Sequence, residues 1–423
     1  MKSEKLCRAA LVFCLGVSSF SLRAQIFIPG DGSDGALNIS ATTGIDLSQA
    51  VTGAWNNNNS AHAGKGIYDS NQWAVVFKYS SVNIASGAFV TFTNHPSHAP
   101  VVWLVNGDVT IAGDVSLDGQ TIGNNAPQLA EGGPGGFRGG IASFSGGVTQ
   151  GAGFGPGGGE PGGGNYGDWA TGGTYGTVGD SSPGSPYGNP SLLPLIGGSG
   201  GGGYYSSGQG GGGGGGAILI ACSGTMTING NVHANGGYCT ADGRGGGGSG
   251  GGIRLVSTTL AGSGIVQCIP GPNGGHKGGL GRIRIERATN NATIVVTPDP
   301  SVVPLQATDT PLIWLPTTGP TATILSINSA AAPADPRASF GTYGPDVTVP
   351  QTNAATVVVQ TVNAESASQV LVRVTPRASG YYTEVPAVLM QTNSLSPLTL
   401  IWTATNVPVN PGYALVIARV IRP

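Results

Sequence analysis

Short runs of apolar residues that alternate with polar ones recur along the chain, and glycine, asparagine or aspartate separates them. Alternation at a period of two is typical of β-strands, and these separators are typical of turns. The run VVWLVNGDVTIAGDVSLDG, residues 101–119, aligns without a gap onto ILIACSGTMTINGNVHANG, residues 218–236. Ile111 and Ile228 are equivalent in this alignment, two residues before a shared turn glycine. We therefore expect both side chains to point into one core.

Further copies of this unit flank the pair. WAVVFKYSSVNIASGAFVTF aligns with the first copy at an offset of 27 residues, which pairs Phe77 with Leu104. Weaker copies begin at GGGIRLV, residues 250–256, and at GLGRIRIE, residues 279–286. A unit of this length with three short strands predicts a parallel β-solenoid, in which stacked coils bury one apolar column. A β-sandwich is the alternative, but it does not explain an ungapped repeat across a long insertion.

Glycine marks that insertion. Of the 76 glycines in the chain, 58 lie between residues 131 and 286. The stretch 120–216 leaves the predicted solenoid between two coils, and such a composition is ordinarily typical of disorder. Two alternatives stay open: a mobile loop, or extended segments packed side by side, because glycine permits close approach of backbones.

The chain divides into four regions. Residues 1–24 carry basic, apolar and small-residue stretches in the order of a signal peptide. Residues 25–287 form the predicted glycine-rich solenoid domain, and residues 288–319 indicate a proline-containing linker. Residues 320–423 contain runs such as ATVVVQTV and LTLIWTA, which predict an immunoglobulin- or fibronectin-like β-sandwich. We therefore expect an all-β protein that is secreted or at the cell surface, with no transmembrane segment after cleavage.

Charge and cysteine content narrow the possible partners. Only 9% of the residues are charged, and the formal net charge is −2, so we expect no nucleic-acid partner. Cys222, Cys239 and Cys268 follow the predicted leader, and their spacing matches no standard zinc site. One disulfide with one free thiol is an alternative. Because the repeat places no two of them in one column, we expect three free thiols, with no metal or other cofactor.

Several segments together resemble a loosely defined set of exported bacterial and phage-associated glycine-rich proteins. They are GDGSDGALNI, VVWLVNGDVTIAGDVSLDGQ, the long glycine-rich tract, GGGGAILIACSGTMTINGNVHANGG and GGLGRIRI, and they span residues 28–286. The resemblance implies surface, adhesin-like or tail-fibre-like roles, and it supplies no catalytic residue. The C-terminal module matches no pattern of this set.

Three aspartates are the candidates for catalysis. Asp108, Asp114 and Asp118 fall within one predicted coil, and polysaccharide lyases and hydrolases often use acidic residues on a solenoid face. Asp114 aligns with Asn231, and Asp118 aligns with Asn235. An amide stabilises a turn as a carboxylate does, but it cannot act as an acid or base. We therefore expect turn roles, and a carbohydrate-active enzyme is the alternative function.

Two other polar clusters are predicted to be structural. Asp31, Ser33 and Asp34 lie in GDGSDG, which lacks the twelve-residue calcium loop and fits a tight turn before the first strand. His95 and His98 lie in a proline-containing turn, where we expect solvated side chains and no metal.

Aromatic residues of the insertion are the candidate binding site. There are six of them: Tyr166, Trp169, Tyr175, Tyr187, Tyr204 and Tyr205. A stretch so rich in glycine is not expected to bury six rings within itself. They either pack back onto the solenoid or stay exposed to engage partners or sugars. We expect a non-catalytic, exported structural or adhesin-like protein whose partner is an extracellular glycan or a surface protein.

Overall fold

The protein is all-β in this computed structural model, as the sequence predicts, with 42% of its residues in strands and 1% in helices. The structure describes residues 25–57, 60–123, 129–143, 149–163, 168–205, 209–240, 244–272, 276–337, 344–350, 352–378 and 380–423. The predicted signal peptide, residues 1–24, lies outside this part of the chain. The described helices are single 3₁₀ turns, Leu47–Gln49 and Ser60–His62.

Parallel pairing dominates the first three quarters of the chain. The strands of this part are β1 (Gly35–Ile39), β2 (Thr43–Asp46), β3 (Val51–Thr52), β4 (Ile67–Asp69), β5 (Ala74–Ile84), β6 (Phe89–Thr93), β7 (Val101–Val105), β8 (Val109–Ile111), β9 (Asp114–Ser116), β10 (Ala217–Ile228), β11 (Asn231–His233), β12 (Gly252–Gly262), β13 (Ile265–Gln267), β14 (Arg282–Ala292), β15 (Val295–Thr297) and β16 (Ser301–Pro304). One sheet has the order β16-β14-β12-β10-β7-β5-β4-β3, and a second has the order β15-β13-β11-β9-β6-β2.

The register of these sheets tests the repeat alignment. Ile228 pairs with Ile111 in parallel strands, and both side chains are fully buried in the same core, which confirms their predicted equivalence. The predicted pairing of Phe77 with Leu104 is wrong, since Phe77 lies opposite Trp103. Beyond the turn the pairing returns to the expected offset, with Ile84 opposite Ile111. The reason is that the turn at 106–108 has one residue more than the equivalent turn of the preceding copy.

Two apolar cores lie on opposite faces of the first sheet. Trp103 of β7 belongs to the core that also holds Val115 and Val232 of the second sheet. Leu104 of the same strand belongs to a core that includes Ile26 and Ile313. The chain segments before β1 and after β16 therefore cover the face of the first sheet that points away from the second sheet.

The predicted linker, residues 288–319, is partly sheet. It contains β15 and β16, which continue the second and first sheets, respectively, as parallel strands. Pro304 ends β16 at the edge of its sheet, where a residue without a backbone N–H is tolerated. The proline content of this stretch predicted a linker, although it contains the edge strands β15 and β16.

Glycine-rich segments lie side by side between the strands. We use the name glycine bundle for the described residues of 119–216, 234–251 and 268–281, which leave the sheets after β9, β11 and β13. Their backbones hydrogen-bond to one another over long sequence separations, as from Gly201 N–H to Gly212 C=O at 3.0 Å and from Gly246 N–H to Gly202 C=O at 2.9 Å. Of the two alternatives, the described residues thus form packed extended segments.

The central segment of the bundle is residues 196–203. Gly200 and Gly203 both donate to the stretch 151–154, whereas Gly201 donates to Gly212 and Gly202 donates to Thr171. The direction of the amides therefore repeats after three residues, which is the period of a polyproline II helix. A Cβ at Gly202 would overlap the carbonyl oxygen of Glu160, so this packing requires glycine.

The C-terminal part is an antiparallel sheet. Its strands are β17 (Thr321–Ile327), β18 (Ala330–Ala331), β19 (Thr352–Val362), β20 (Gln369–Pro376), β21 (Thr383–Leu395), β22 (Leu398–Val409) and β23 (Ala414–Ile421), in the order β18-β17-β19-β22-β21-β20-β23. Arg373 of β20 donates from Nη1 to the carbonyl of Gly155 at 3.1 Å, and Gly151 forms a parallel bridge with Gly380. The antiparallel sheet therefore braces one side of the glycine bundle.

Candidate functional site

Two of the three candidate acids, Asp108 and Asp118, lie in the connections before β8 and after β9, whereas Asp114 is the first residue of β9. Each carboxylate accepts a hydrogen bond from the residue 117 positions later, namely Asp108 from the Thr225 N–H at 2.7 Å, Asp114 from the Asn231 side chain at 2.6 Å and Asp118 from the Asn235 N–H at 2.6 Å. The separation equals the repeat offset, so each bond joins equivalent positions of two copies. The backbone bonds of Asp108 and Asp118 agree with the predicted turn roles, whereas Asp114 begins a strand and bonds to a side chain.

The GDGSDG segment is also a turn held by its own carboxylates. Asp31 accepts from the Ser33 N–H at 3.0 Å and pairs with Lys78 Nζ at 2.9 Å. Asp34 accepts from the backbone N–H groups of Lys78 at 2.6 Å and Gly64 at 2.8 Å. With these bonds the segment anchors the entry to β1, as the turn interpretation predicts.

Two of the six candidate aromatic residues are interior. Tyr175 and Tyr187 pack with their ring centroids 4.8 Å apart and are 0% and 7% exposed. Their hydroxyls donate to the backbone carbonyls of Ile196 and Gly197, each at 2.8 Å. Both rings therefore hold the central segment of the bundle in place and offer no face to a partner. Their assignment to a binding site is corrected, because Leu192, Leu195 and Ile196 of the same insertion pack against the two rings.

Three other candidates lie near one another in the glycine bundle. Tyr204 is buried, with the Arg244 guanidinium 5.8 Å from its ring centroid. Trp169 is half-buried and meets His276 edge to face, with centroids 5.6 Å apart. Tyr205, which follows Tyr204 in the chain, is 57% exposed. We call this surface the outer face and define it by a set of six residues: Asp168, Trp169, Tyr204, Tyr205, Arg244 and His276. Tyr166 lies outside the described residues.

Backbone contacts fix the outer face. The Ala170 N–H donates to the Arg244 carbonyl at 3.1 Å, which joins the segment of Trp169 to that of Arg244. The Tyr204 N–H donates to the Gln209 carbonyl at 2.9 Å. Within the described part of the chain, Gln209 Oε1 and His276 Nδ1 are buried without a hydrogen-bond partner.

A groove of about 460 Å³ runs between the second sheet and the base of the bundle. On its wall Arg138 donates from Nε to Glu131 Oε1 at 2.7 Å and lies 2.9 Å from His98 Nε2 through Nη2. Burial and the neighbouring Arg138 charge lower the pKa of His98 to about 3, and burial lowers the pKa of His95 to about 4. The expected solvated histidines are thus wrong for His98, which is 8% exposed. Glu131 and Arg138 were not among the residues selected from the sequence. In the sequence they are marked only as an acidic and a basic residue that lie seven positions apart among glycines.

The thiols are structural. Cys222, Cys239 and Cys268 are all buried, and no two of them are joined by a disulfide, as expected from the repeat. Burial raises the pKa of the Cys222 thiol, which disfavours its reactive thiolate form. Among the described residues, no group of three or more His, Cys, Asp or Glu side chains is arranged to hold a metal ion.

No family model, no curated protein and no solved structure matches this chain. In the part of the chain that the structure describes, no helix has the length and apolar character needed to cross a membrane.

Proposed function

We propose that the parallel strands form a β-solenoid and that the C-terminal sheet folds over into an immunoglobulin- or fibronectin-like sandwich. The sandwich is supported by the shared core of β19 and β20, which are not neighbours in that sheet. Successive passes of the chain support the solenoid, because β10 is followed by β11, β12 by β13 and β14 by β15, and each pass adds one strand to each sheet. The ladder of turn carboxylates, with bonds between equivalent turns, is the contact expected between stacked coils.

We further propose that this is an exported, non-catalytic binding protein of the adhesin-like kind. The outer face would engage an extracellular glycan or a surface protein. The observation that carries this proposal is the concentration of an exposed tyrosine, a half-buried tryptophan and two charged side chains on one surface of the glycine bundle. Export is supported by the leader-like pattern of residues 1–24.

The chemistry of the outer face suits a partner rich in hydroxyl groups. Tyr205 and Trp169 combine an apolar ring face with a polar handle, which favours stacking on the apolar face of a sugar ring. Arg244 and Asp168 supply a hydrogen-bond donor and an acceptor at the same place.

The turn contacts of the aspartates favour binding over cleavage. Asp108 and Asp118 each accept a backbone N–H group of the next coil through Oδ1, so both carboxylates have a structural role. A polysaccharide lyase or hydrolase centred on these residues is therefore the less favoured function.

Retention on a panel of immobilised polysaccharides tests the proposal, with product release measured in the same samples. We expect retention of the protein without product release, and loss of retention in the double variant Trp169→Ala/Tyr205→Ala. Tyr381→Ala is the matched control, because Tyr381 is 58% exposed on the C-terminal part, against 57% for Tyr205. Retention that survives the double variant, or product release that is lost in Asp118→Asn, would contradict the proposal.

A further inference from the structure

A second cavity lies on the face of the first parallel sheet that points away from the second sheet. Its volume is about 290 Å³, close to the lower end of the range of about 300–1,000 Å³ for ligand pockets. The wall is mostly apolar and comes from four parts of the chain, including Val102, Leu195, Leu219, Ile313 and Trp314. The cavity thus forms where the sheet, the stretch 192–195, the segment after β16 and the start of β17 meet.

One charge lies in this apolar wall. Arg254, from β12, is the only charged side chain among the described residues that line the cavity, and it is 1% exposed. Its Nε donates to Glu286 Oε1 at 2.8 Å, and its Nη2 donates to the Leu312 carbonyl at 2.6 Å. The third nitrogen, Nη1, is buried and has no hydrogen-bond partner within the described chain.

The charge of Arg254 is only partly balanced. Glu286 Oε1 also accepts from Arg284 Nε at 2.6 Å, so one carboxylate serves two guanidinium groups. The three side chains together carry a net positive charge beside the cavity. A buried donor on a cation lowers stability unless it donates a hydrogen bond to an acceptor. An anion is the strongest acceptor for such a donor.

The indole of Trp314 adds a second unused donor. Its Nε1 is buried without a partner in the described part of the chain, and Trp314 lines the same cavity as Arg254. Its ring lies 5.5 Å from that of Trp55, which fixes its position. The cavity thus combines an apolar wall with two donors that lack acceptors.

We propose that this cavity is a binding site for a small amphipathic organic anion, with a carboxylate head at Arg254 and an apolar body along Leu195 and Trp314. The apolar wall disfavours a fully hydrated anion such as inorganic phosphate, because nothing replaces its water on that side. The guanidinium disfavours an amphipathic cation by direct repulsion. A medium-chain fatty acid has the matching distribution of charge and apolar surface.

Isothermal titration calorimetry of the full chain with octanoate tests the proposal, with octanol and octylammonium as ligands of equal chain length. We expect octanoate to bind at least about tenfold more tightly than octanol, since only the carboxylate makes a charge-assisted hydrogen bond. Octylammonium should give no binding. Equal affinities for octanoate and octanol, or no octanoate binding by the folded protein, would overturn the proposal.

Two variants locate the site. Leu195→Trp fills the cavity from a half-buried position and should weaken octanoate binding at least about tenfold, whereas Tyr381→Ala should bind as the parent does. Arg254→Met should remove the preference for octanoate over octanol. If Arg254→Met fails to fold, the octanoate affinity of Leu195→Trp tests the site alone. Octanoate binding by Leu195→Trp as tight as that of the parent would place the ligand elsewhere and refute the assignment.

Discussion

Replacing Gly197 by alanine perturbs the glycine bundle at its central segment. A Cβ at this position would lie 2.5 Å from the Gly215 carbonyl oxygen and 2.8 Å from the Gly135 oxygen, and both are backbone atoms. Ordinary contacts of a Cβ begin at 3.4 Å, so the neighbouring segments have to separate by more than half an ångström. That separation strains two buried hydrogen bonds, from Gly197 N–H to Gly135 C=O and from Gly198 N–H to Gly215 C=O, each at 2.8 Å.

The expected loss of stability has two parts. Forced overpacking costs about 1–3 kcal/mol, and a buried backbone group that loses its partner costs about 1–3 kcal/mol. We therefore expect Gly197→Ala to lower the free energy of unfolding by about 3–5 kcal/mol. At about 2–4 °C per kcal/mol for a domain of 150–250 residues, the melting midpoint should fall by about 10 °C. Thermal melts followed by circular dichroism measure this shift.

Gly123→Ala is the matched control. A Cβ at Gly123 meets no atom of the described residues within 4 Å, and the φ of Gly123 is not positive, so alanine is accommodated there. This variant should melt within about 1 kcal/mol of the parent, with a slight gain from the lower entropy of its unfolded chain. A parent-like melt of Gly197→Ala, or equal shifts of both variants, would refute the close packing on which the outer face depends.

Three further predictions follow from buried groups. Ile228→Asp places an unpaired charge in the first core and should cost several kcal/mol in urea melts; an unchanged midpoint would contradict the register. His98→Asn, at a φ of 52° that asparagine tolerates, should make the protein less sensitive to acid. The pKa of His98 is about 3 in the folded protein and 6.5 in the unfolded chain, so between these values only the unfolded chain takes up the proton. The free energy of unfolding of the parent should therefore fall by about 2–3 kcal/mol between pH 7 and 4.5, and that of the variant should not show this fall. Equal losses for both proteins in urea melts would argue against a buried neutral imidazole. Thiol labelling without reductant should find Cys222, Cys239 and Cys268 unreactive when folded and all reactive when denatured, and a single reactive thiol in the denatured chain would reveal a disulfide.

The strand pattern was predictable because side chains carry it. Alternation placed Ile111 and Ile228 in one core across more than a hundred residues, and the aspartate-to-asparagine exchanges indicated turns. The error at Phe77 arose in a turn, where one additional residue leaves no trace in an apolar pattern. Sequence periodicity therefore specifies the pairing within strands better than it specifies the length of the turns between them.

The glycine bundle was not predictable in the same way. Glycine has no side chain, so the partners of Gly200 or Gly203 leave no pattern in the sequence, and only the folded backbone defines them. The burial of Tyr175 and Tyr187 was missed as well, because the residues that cover them, Leu192 and residues 195–197, belong to the same insertion, which the sequence analysis judged too rich in glycine to enclose a ring. The outer face and the groove at Glu131 are products of this long-range packing.

Amide hydrogen exchange of the central segment, residues 196–203, tests the account most directly, since a defined outer face requires an ordered bundle. The Gly200, Gly201 and Gly202 amides each donate to a different neighbouring stretch at 3.0 Å, and we expect them to be protected as strongly as the amides of β10, Ala217–Ile228. Exchange of these glycine amides at the rate of an unstructured peptide, while β10 stays protected, would show a mobile tether and contradict the proposed binding surface.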